Sequence, residues 1–203
     1  PLAESNNCIH TLTRIILNKA CKIIHEFEND YDFDALTINC SSSELSDRNL
    51  FNDLMGIIND NGINPEHIRL ELTESAMFDD FETVLYNMEK LNQSGIKFYL
   101  DDFGTGYSSL GVLLEIPADV VKIDKSFIDT ITMDENTRVI ADSVVNMAKR
   151  LGYETIAEGV EDQDQFNYLK KIGCDCIQGF FLGRPSTSEE IERLLLRIEE
   201  SER

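Results

Sequence analysis

A chain of 203 residues with 42% hydrophobic content can bury a sizeable core and reads as one globular domain over 1–203, which excludes a disordered chain. Its 38 acidic against 18 basic residues leave a net charge of -20, which opposes non-specific binding to DNA or RNA duplexes and to anionic membranes, so a small anionic ligand would need bound cations. No apolar run approaches the roughly 20 residues that span a bilayer, no charged-then-apolar leader opens the sequence, and five cysteines without framework spacing argue against a secreted scaffold and for a reducing, cytoplasmic setting.

The opening PLAESNNCIHTLTRIILN reads as a loop entering a helix, with no strand before it. Ile9, Leu12, Ile16, Ala20, Ile23, Ile24 and Phe27 recur at helical spacing and predict its core face. A strand near 35–39 ends on Asn39, and the helix after it runs into NDNG at Gly62. The strand near 68–72 carries Glu71, and its helix ends in NQSG at Gly95. A third strand near 97–101 ends on Asp101 with Asp102, and a fourth near 119–123 holds Lys122 between Val121 and Ile123. Val139, Ile140, Val144, Met147, Ala148 and Leu151 predict the core face of the next helix, which stops in KRLG at Gly152. A strand at 154–158 ends on Glu158, KKIG at Gly173 closes another helix, and a strand near 175–178 ends on Gln178. SEEIERLLLRIEESER reads as an amphipathic terminal helix with its charges towards solvent. Glycine past a helix end supplies a left-handed cap that other residues adopt at a cost.

Strands alternating with helices imply parallel β/α units. In a TIM-type barrel the carboxyl ends of all strands open on one face, so one polar residue per strand end would ring a single cleft. Six units fall short of the eight that close a (β/α)8 barrel. The expected architecture is therefore an α/β, (β/α)8-like barrel lacking about two N-terminal strands, the gap lying upstream of Pro1. A six-stranded open sheet is the alternative on pattern alone.

The ring is mostly acidic and calls for metal. Hard oxygen donors suit Mg2+ or Mn2+, and two such cations can ready a water and stabilise the attacking and leaving oxygens of a phosphodiester. Adjacent carboxylates repel unless cations hold them. The plainer alternative for Asp101 and Asp102 is a strand-end turn with solvated acids; for Lys122 it is a paired core cation, and for Glu158 the start of a turn at Gly159. Asn39 and Gln178 draw their weight from position in the ring. FGTGYSS lacks the GxGxxG spacing and the lysine of a Walker loop and reads as a flexible turn beside Asp101 and Asp102. Cys174 and Cys176 lack a second pair and read as small core or strand residues, not zinc ligands. His10, His25 and His67 share no spacing and receive no catalytic role.

ELTES (71–75), DDFGTGYSSL (101–110), VKIDKSF (121–127), AEGVE (157–161) and QGFFLGRP (178–185), in this order and spacing, resemble the EAL-domain phosphodiesterases that hydrolyse cyclic di-GMP. The resemblance implies a two-metal site for Mg2+ or Mn2+. Asn39 and Glu71 would hold one cation, Asp101 would bridge, and Asp102 and Glu158 would hold the second. It further implies that Lys122 hydrogen-bonds the attacking water, that Glu74 steadies the loop 103–110, and that Gln178 supports the water beside Glu158. Asp124, Glu161 and Pro185 fall where the family contacts substrate or braces the pocket. The family's signature glutamate, a metal ligand, and the arginine following it belong to a strand upstream of Pro1. The implied reaction is metal-dependent hydrolysis of cyclic di-GMP to linear pGpG, with a homodimer and with sensory or cyclase-like domains in the parent protein, which could itself be membrane-attached. The alternative is an inactive EAL-type receptor that holds the nucleotide uncut; more remotely, a barrel enzyme acting on another phosphorylated substrate.

Overall fold

The computed structural model describes residues 8–28, 31, 33–73, 80–104 and 113–201. Its centre is a six-stranded parallel sheet: β1 (Leu36–Asn39), β2 (Ile68–Thr73), β3 (Lys97–Phe103), β4 (Val120–Ile123), β5 (Glu154–Glu158) and β6 (Cys176–Gln178). Each strand pairs with the next in sequence and the order never reverses. That progression belongs to a barrel wall; a doubly wound sheet turns back at a switch point. The chain thus forms a partial TIM-type α/β barrel, and each predicted strand is present within about two residues of its expected bounds.

The helices are α1 (Ile9–Phe27), α2 (Ser42–Leu45), α3 (Leu50–Asp60), α4 (Phe81–Gln93), α5 (Lys125–Ile128), α6 (Glu135–Leu151), α7 (Gln163–Ile172) and α8 (Ser188–Ser201), with a 3-10 turn at Pro65–His67. Alternation along the strands sorts the two faces of the sheet. Ile38, Leu70, Leu72, Phe98, Leu100, Val121, Ile123 and Ala157 are buried in one core with Leu17, Ile24, Leu54, Ile58, Met88, Leu91 and Val145 of the helices. The opposite parity carries Glu71, Lys122 and Glu158. Register is therefore strongly specified, because a slip of one residue would drive these charges into the apolar layer.

Helix stops follow the glycines. Gly152 and Gly173 are left-handed caps of α6 and α7, and Gly62 and Gly95 lie one residue beyond the caps of α3 and α4. The predicted helix faces need correction. In α1 the buried stripe is Thr13, Leu17, Ala20, Cys21, Ile24 and Phe27, whereas Leu12 and Ile16 are exposed. In α6 it is Thr137, Ala141, Val144, Val145 and Ala148, with Val139, Ile140 and Leu151 exposed. Both helices are apolar over more than one face, so spacing alone fits two stripes and packing against the sheet chooses between them. The apolar side of α8 is likewise partly open: Ile191, Leu194 and Leu196 are exposed. Among the described residues no helix is long and apolar enough to cross a membrane.

Aspartates lock the amino ends of the strands. Asp119 Oδ2 accepts a hydrogen bond from Phe98 N at 3.0 Å, tying the start of β4 to β3. Asp175 Oδ2 does the same between β6 and β5, accepting from Thr155 N at 3.0 Å and Thr155 Oγ1 at 2.7 Å. Burial works against ionised Asp175, but the Thr155 bonds and Lys149 Nζ at 3.1 Å hold its carboxyl below the usual range. Cys174 is half-buried, its thiol donating to Cys176 O at 3.2 Å, while Cys176 is exposed, which corrects its placement as a core residue.

One histidine ties α1 to α3. His25 Nε2 lies 2.7 Å from Asn61 O, and Nδ1 lies 3.0 Å from Glu28 Oε1. Both ring nitrogens face acceptors, an arrangement that only the imidazolium satisfies at both ends. The Asn61 bond first, then Glu28, raises the pKa above 6.5. A group bound more tightly to its proton in the fold stabilises it fully below the unfolded pKa, and the gain is lost as pH rises through the folded value. Urea midpoints of the wild type and His25→Gln should therefore differ most below pH 6.5 and converge above it; a pH-independent difference would remove the imidazolium from the account.

Candidate active site

Consecutive residues of a regular strand point to opposite faces, so adjacent aspartates cannot both serve one cleft without a break. β3 supplies the break. Tyr99 pairs with Val120 and Leu100 with Val121, yet Phe103 pairs with Ile123, so β3 holds one extra residue beside Lys122. Asp102 takes up the irregularity at φ 54°, the sole positive-φ non-glycine residue among those described. A bulge of this kind re-aims side chains and is enriched beside active sites, and aspartate tolerates the left-handed region better than most residues.

The result is a concentrated carboxylate group. Asp101, Asp102 and Glu158 each offer an oxygen within 4.8 Å of the others. Burial first, then the charges of Asp101 and Asp124, raises the pKa of Asp102. Burial likewise raises Glu158, with Lys122 opposing.

Lys122 stands in the middle of this group. Its side chain is 3% exposed, and Nζ lies 2.9 Å from Glu71 Oε1, 3.0 Å from Asp101 Oδ1 and 2.6 Å from Glu158 Oε1. Three strands thus deliver carboxylates to one ammonium from a fourth. Burial alone would push the lysine down, but the contacts to Glu158, Glu71 and Asp101 outweigh it and hold the group above its usual range. Lys122 is therefore a proton donor in this setting, not a base.

The donor set fits a hard divalent cation. The three close carboxylates are the oxygen ligands such an ion takes. Asp101 Oδ1 is buried and, although ion-paired with Lys122, accepts no hydrogen bond among the described residues. A buried carboxylate oxygen left in that state is costly unless something else engages it.

The remaining predicted residues fall around this centre unequally. Asn39 is the register partner of Glu71 and Gln178 that of Glu158, so both stand at neighbouring strand ends, exposed. Asp124 caps α5, its Oδ1 accepting from Ser126 N at 3.0 Å, and bears on Asp102 through charge and a hydrogen bond. Glu161 is engaged instead by an ion pair with Lys125, which also contacts Asp129. Pro185 is exposed beyond β6. Glu74 and positions 105–110 lie outside the described residues.

A residue that sequence reasoning passed over holds the β5–α7 loop. Gln165 is 5% exposed; its Oε1 accepts from Glu161 N at 2.7 Å and Asp162 N at 3.2 Å, and its Nε2 donates to Ile128 O at 3.1 Å. The D-x-x-Q spacing of Asp162 and Gln165 was the available signal, a capping box at the start of α7. Gln165→Leu should leave these backbone groups unsatisfied and cost about 2 kcal/mol or more, lowering the melting temperature by roughly 4–8 °C. An unchanged melt would mean that solvent replaces the glutamine.

A family model described as the EAL domain matches residues 1–185. The bifunctional diguanylate cyclase/cyclic di-GMP phosphodiesterase MucR of Pseudomonas aeruginosa is 33% identical over 192 residues, covering 94% of this chain and 28% of that protein. The cyclic di-GMP phosphodiesterase NbdA of the same organism is 31% identical over 195 residues, covering 96% of this chain and 25% of the relative. The chain therefore spans about a quarter of the length of these relatives. Among solved structures, the P. aeruginosa MucR phosphodiesterase in complex with c-di-GMP superposes with a TM-score of 0.89 at 33% identity, covering 94% of this chain and 78% of that one. Klebsiella pneumoniae BlrP1 in a manganese/cyclic di-GMP complex gives 0.80 at 26% identity, covering 88% of this chain and 45% of that one. With a profile match across most of its residues and relatives about a third identical along more than nine-tenths of its length, the chain belongs to the EAL domain family.

Proposed function

We propose that this chain carries the catalytic centre of a metal-dependent phosphodiesterase that opens cyclic di-GMP to linear pGpG. The observation that carries the reading is the junction of Asp101, Asp102 and Glu158 around buried Lys122. Asp101, Asp102 and Glu158 would hold one divalent ion, with Asp101 shared towards a second held by Glu71 and Asn39; Mg2+ and Mn2+ suit these donors. Bound there, such ions supply a water of lowered pKa and offset charge on the phosphoryl oxygens.

The chain's own groups then have distinct tasks. Lys122, kept cationic by its three carboxylates, donates towards the attacking water and holds it in line. Gln178, next to Glu158 in the sheet, supports that water from the neighbouring strand end. Glu74 would steady the loop that follows Asp101 and Asp102, and Asp124, Glu161 and Pro185 would border the nucleotide. In the reaction the water oxygen joins phosphorus, the bond to the 3′-oxygen breaks, and that oxygen takes a proton. Loss of one ring closure gives pGpG. The same reading places this segment in a homodimer alongside sensory or cyclase-like domains, as in its longer relatives.

Incubating the full-length protein with cyclic di-GMP and Mn2+, then separating products by chromatography, tests the reading. Appearance of pGpG is the expected result. Tight binding with the nucleotide returned intact would make the protein a receptor.

A further inference from the structure

We propose that Phe180 and Arg184 form a stacking platform for a purine base at the mouth of this site; the inference rests on the cyclic di-GMP reading and names the part of the chain that would recognise the base. QGFFLGRP contains two adjacent phenylalanines with opposite fates. Phe181 turns inward and stacks on Phe166 of α7, ring centroids 5.3 Å apart and planes 22° apart. Folding accounts for that ring, which is buried against the core. Phe180 is 49% exposed, and the Arg184 guanidinium lies over its ring at 4.4 Å from the centroid.

The backbone fixes this split. Gly179 N–Cα–C passes so close to the segment after β5 that a Cβ on it would lie 2.2 Å from Val160 O. Val160 N donates to Gln178 O at 3.1 Å and Phe181 N donates to Val160 O at 2.9 Å, bracketing the glycine. Leu182 N and Gly183 N both reach Gly179 O, at 3.1 and 3.3 Å, closing a turn that returns Arg184 over Phe180. Phe180 thus leaves the sheet two residues beyond Gln178, from backbone clamped to the residue pair that follows Glu158.

Charge sets Arg184 apart from the other cations of this end of the sheet. Lys122 is committed to three carboxylates and Lys125 to two. Arg184 has no carboxylate partner among the described residues, although the whole chain carries -20. An exposed aromatic face joined to an uncommitted planar guanidinium is the surface on which nucleobases stack, because both planes meet the flat π-system of the base.

The test separates the base from the phosphate and from the metal. In the full-length protein with Mn2+, binding of GMP and of ribose 5-phosphate is followed by NMR titration for the wild type, Phe180→Leu, Phe180→Trp and Arg184→Gln. Phe180→Leu should weaken GMP about tenfold, leave ribose 5-phosphate and Mn2+ affinity unchanged, and be rescued by Phe180→Trp. Arg184→Gln should show the same base-dependent loss. Equal weakening of both ligands, a fall in Mn2+ affinity, or unchanged GMP binding would each overturn the platform. So would a wild type that binds GMP no better than ribose 5-phosphate. If cyclic di-GMP is not cleaved but the base-dependent loss persists, the phosphodiesterase reading falls and the platform stands.

Discussion

Asp101→Asn is expected to lower turnover of cyclic di-GMP by on the order of 10^2- to 10^3-fold, about 3–4 kcal/mol of transition-state stabilisation, while leaving the metal-free fold intact or slightly more stable. The two effects have one cause. Asp101, Asp102 and Glu158 hold oxygens within 4.8 Å of one another, and Glu71 meets the same lysine. Carboxylates at that spacing repel by on the order of 1–3 kcal/mol per pair once solvent screening is allowed for, and Lys122 alone offsets a part of it. Asparagine keeps the shape of the side chain and removes one charge, so the crowding eases. It also removes the donor best placed to be shared by two cations. Mn2+ titration and thermal melting of the metal-free protein check the two halves separately. A variant with wild-type rate would end the bridging role, and one that loses stability without metal would show that Asp101 serves the fold.

Much of this site was readable from residue order because it sits where a strand must stop being apolar. Val121-Lys122-Ile123 and Ala157-Glu158 place an ionisable group inside a strand of buried type, and nothing but a local partner tolerates it there. The same logic located Asp101, but not the bulge that brings Asp102 to the same side. That irregularity depends on a register mismatch with β4, a relation between strands that no window of β3 contains. Asp119, Asp175 and Gln165 escaped for a similar reason: each is an ordinary polar residue whose importance comes from backbone partners about 20 to 40 residues away in the chain. Helix faces failed differently. Leu12 and Leu17, or Val139 and Val144, satisfy helical spacing equally well, and only the position of the sheet decides which is covered.

Lys122→Met should abolish turnover and, in the absence of metal, destabilise the protein by about 3–5 kcal/mol, a fall of roughly 6–20 °C in melting temperature for a domain of this size. The methionine fills the space of the lysine stem, so packing changes little. What is lost is the one cation facing Glu71, Asp101 and Glu158. Those carboxylates cannot move apart, because each is fixed at the end of its own strand and the strands are held by the ladder and by the buried core behind them. A divalent cation bound by the same oxygens would supply the missing positive charge. Any ligand that binds the folded state alone stabilises it by about 2.7 kcal/mol at one hundred times its dissociation constant, and the crowded site of the variant should bind the ion more tightly than the wild type does. The melting temperature of Lys122→Met should consequently climb further with Mn2+ than that of the wild type, while turnover stays absent. Equal climbs in the two proteins would mean that the lysine and the metal do not share these carboxylates, and the two-metal reading of the strand ends would lose its electrostatic basis.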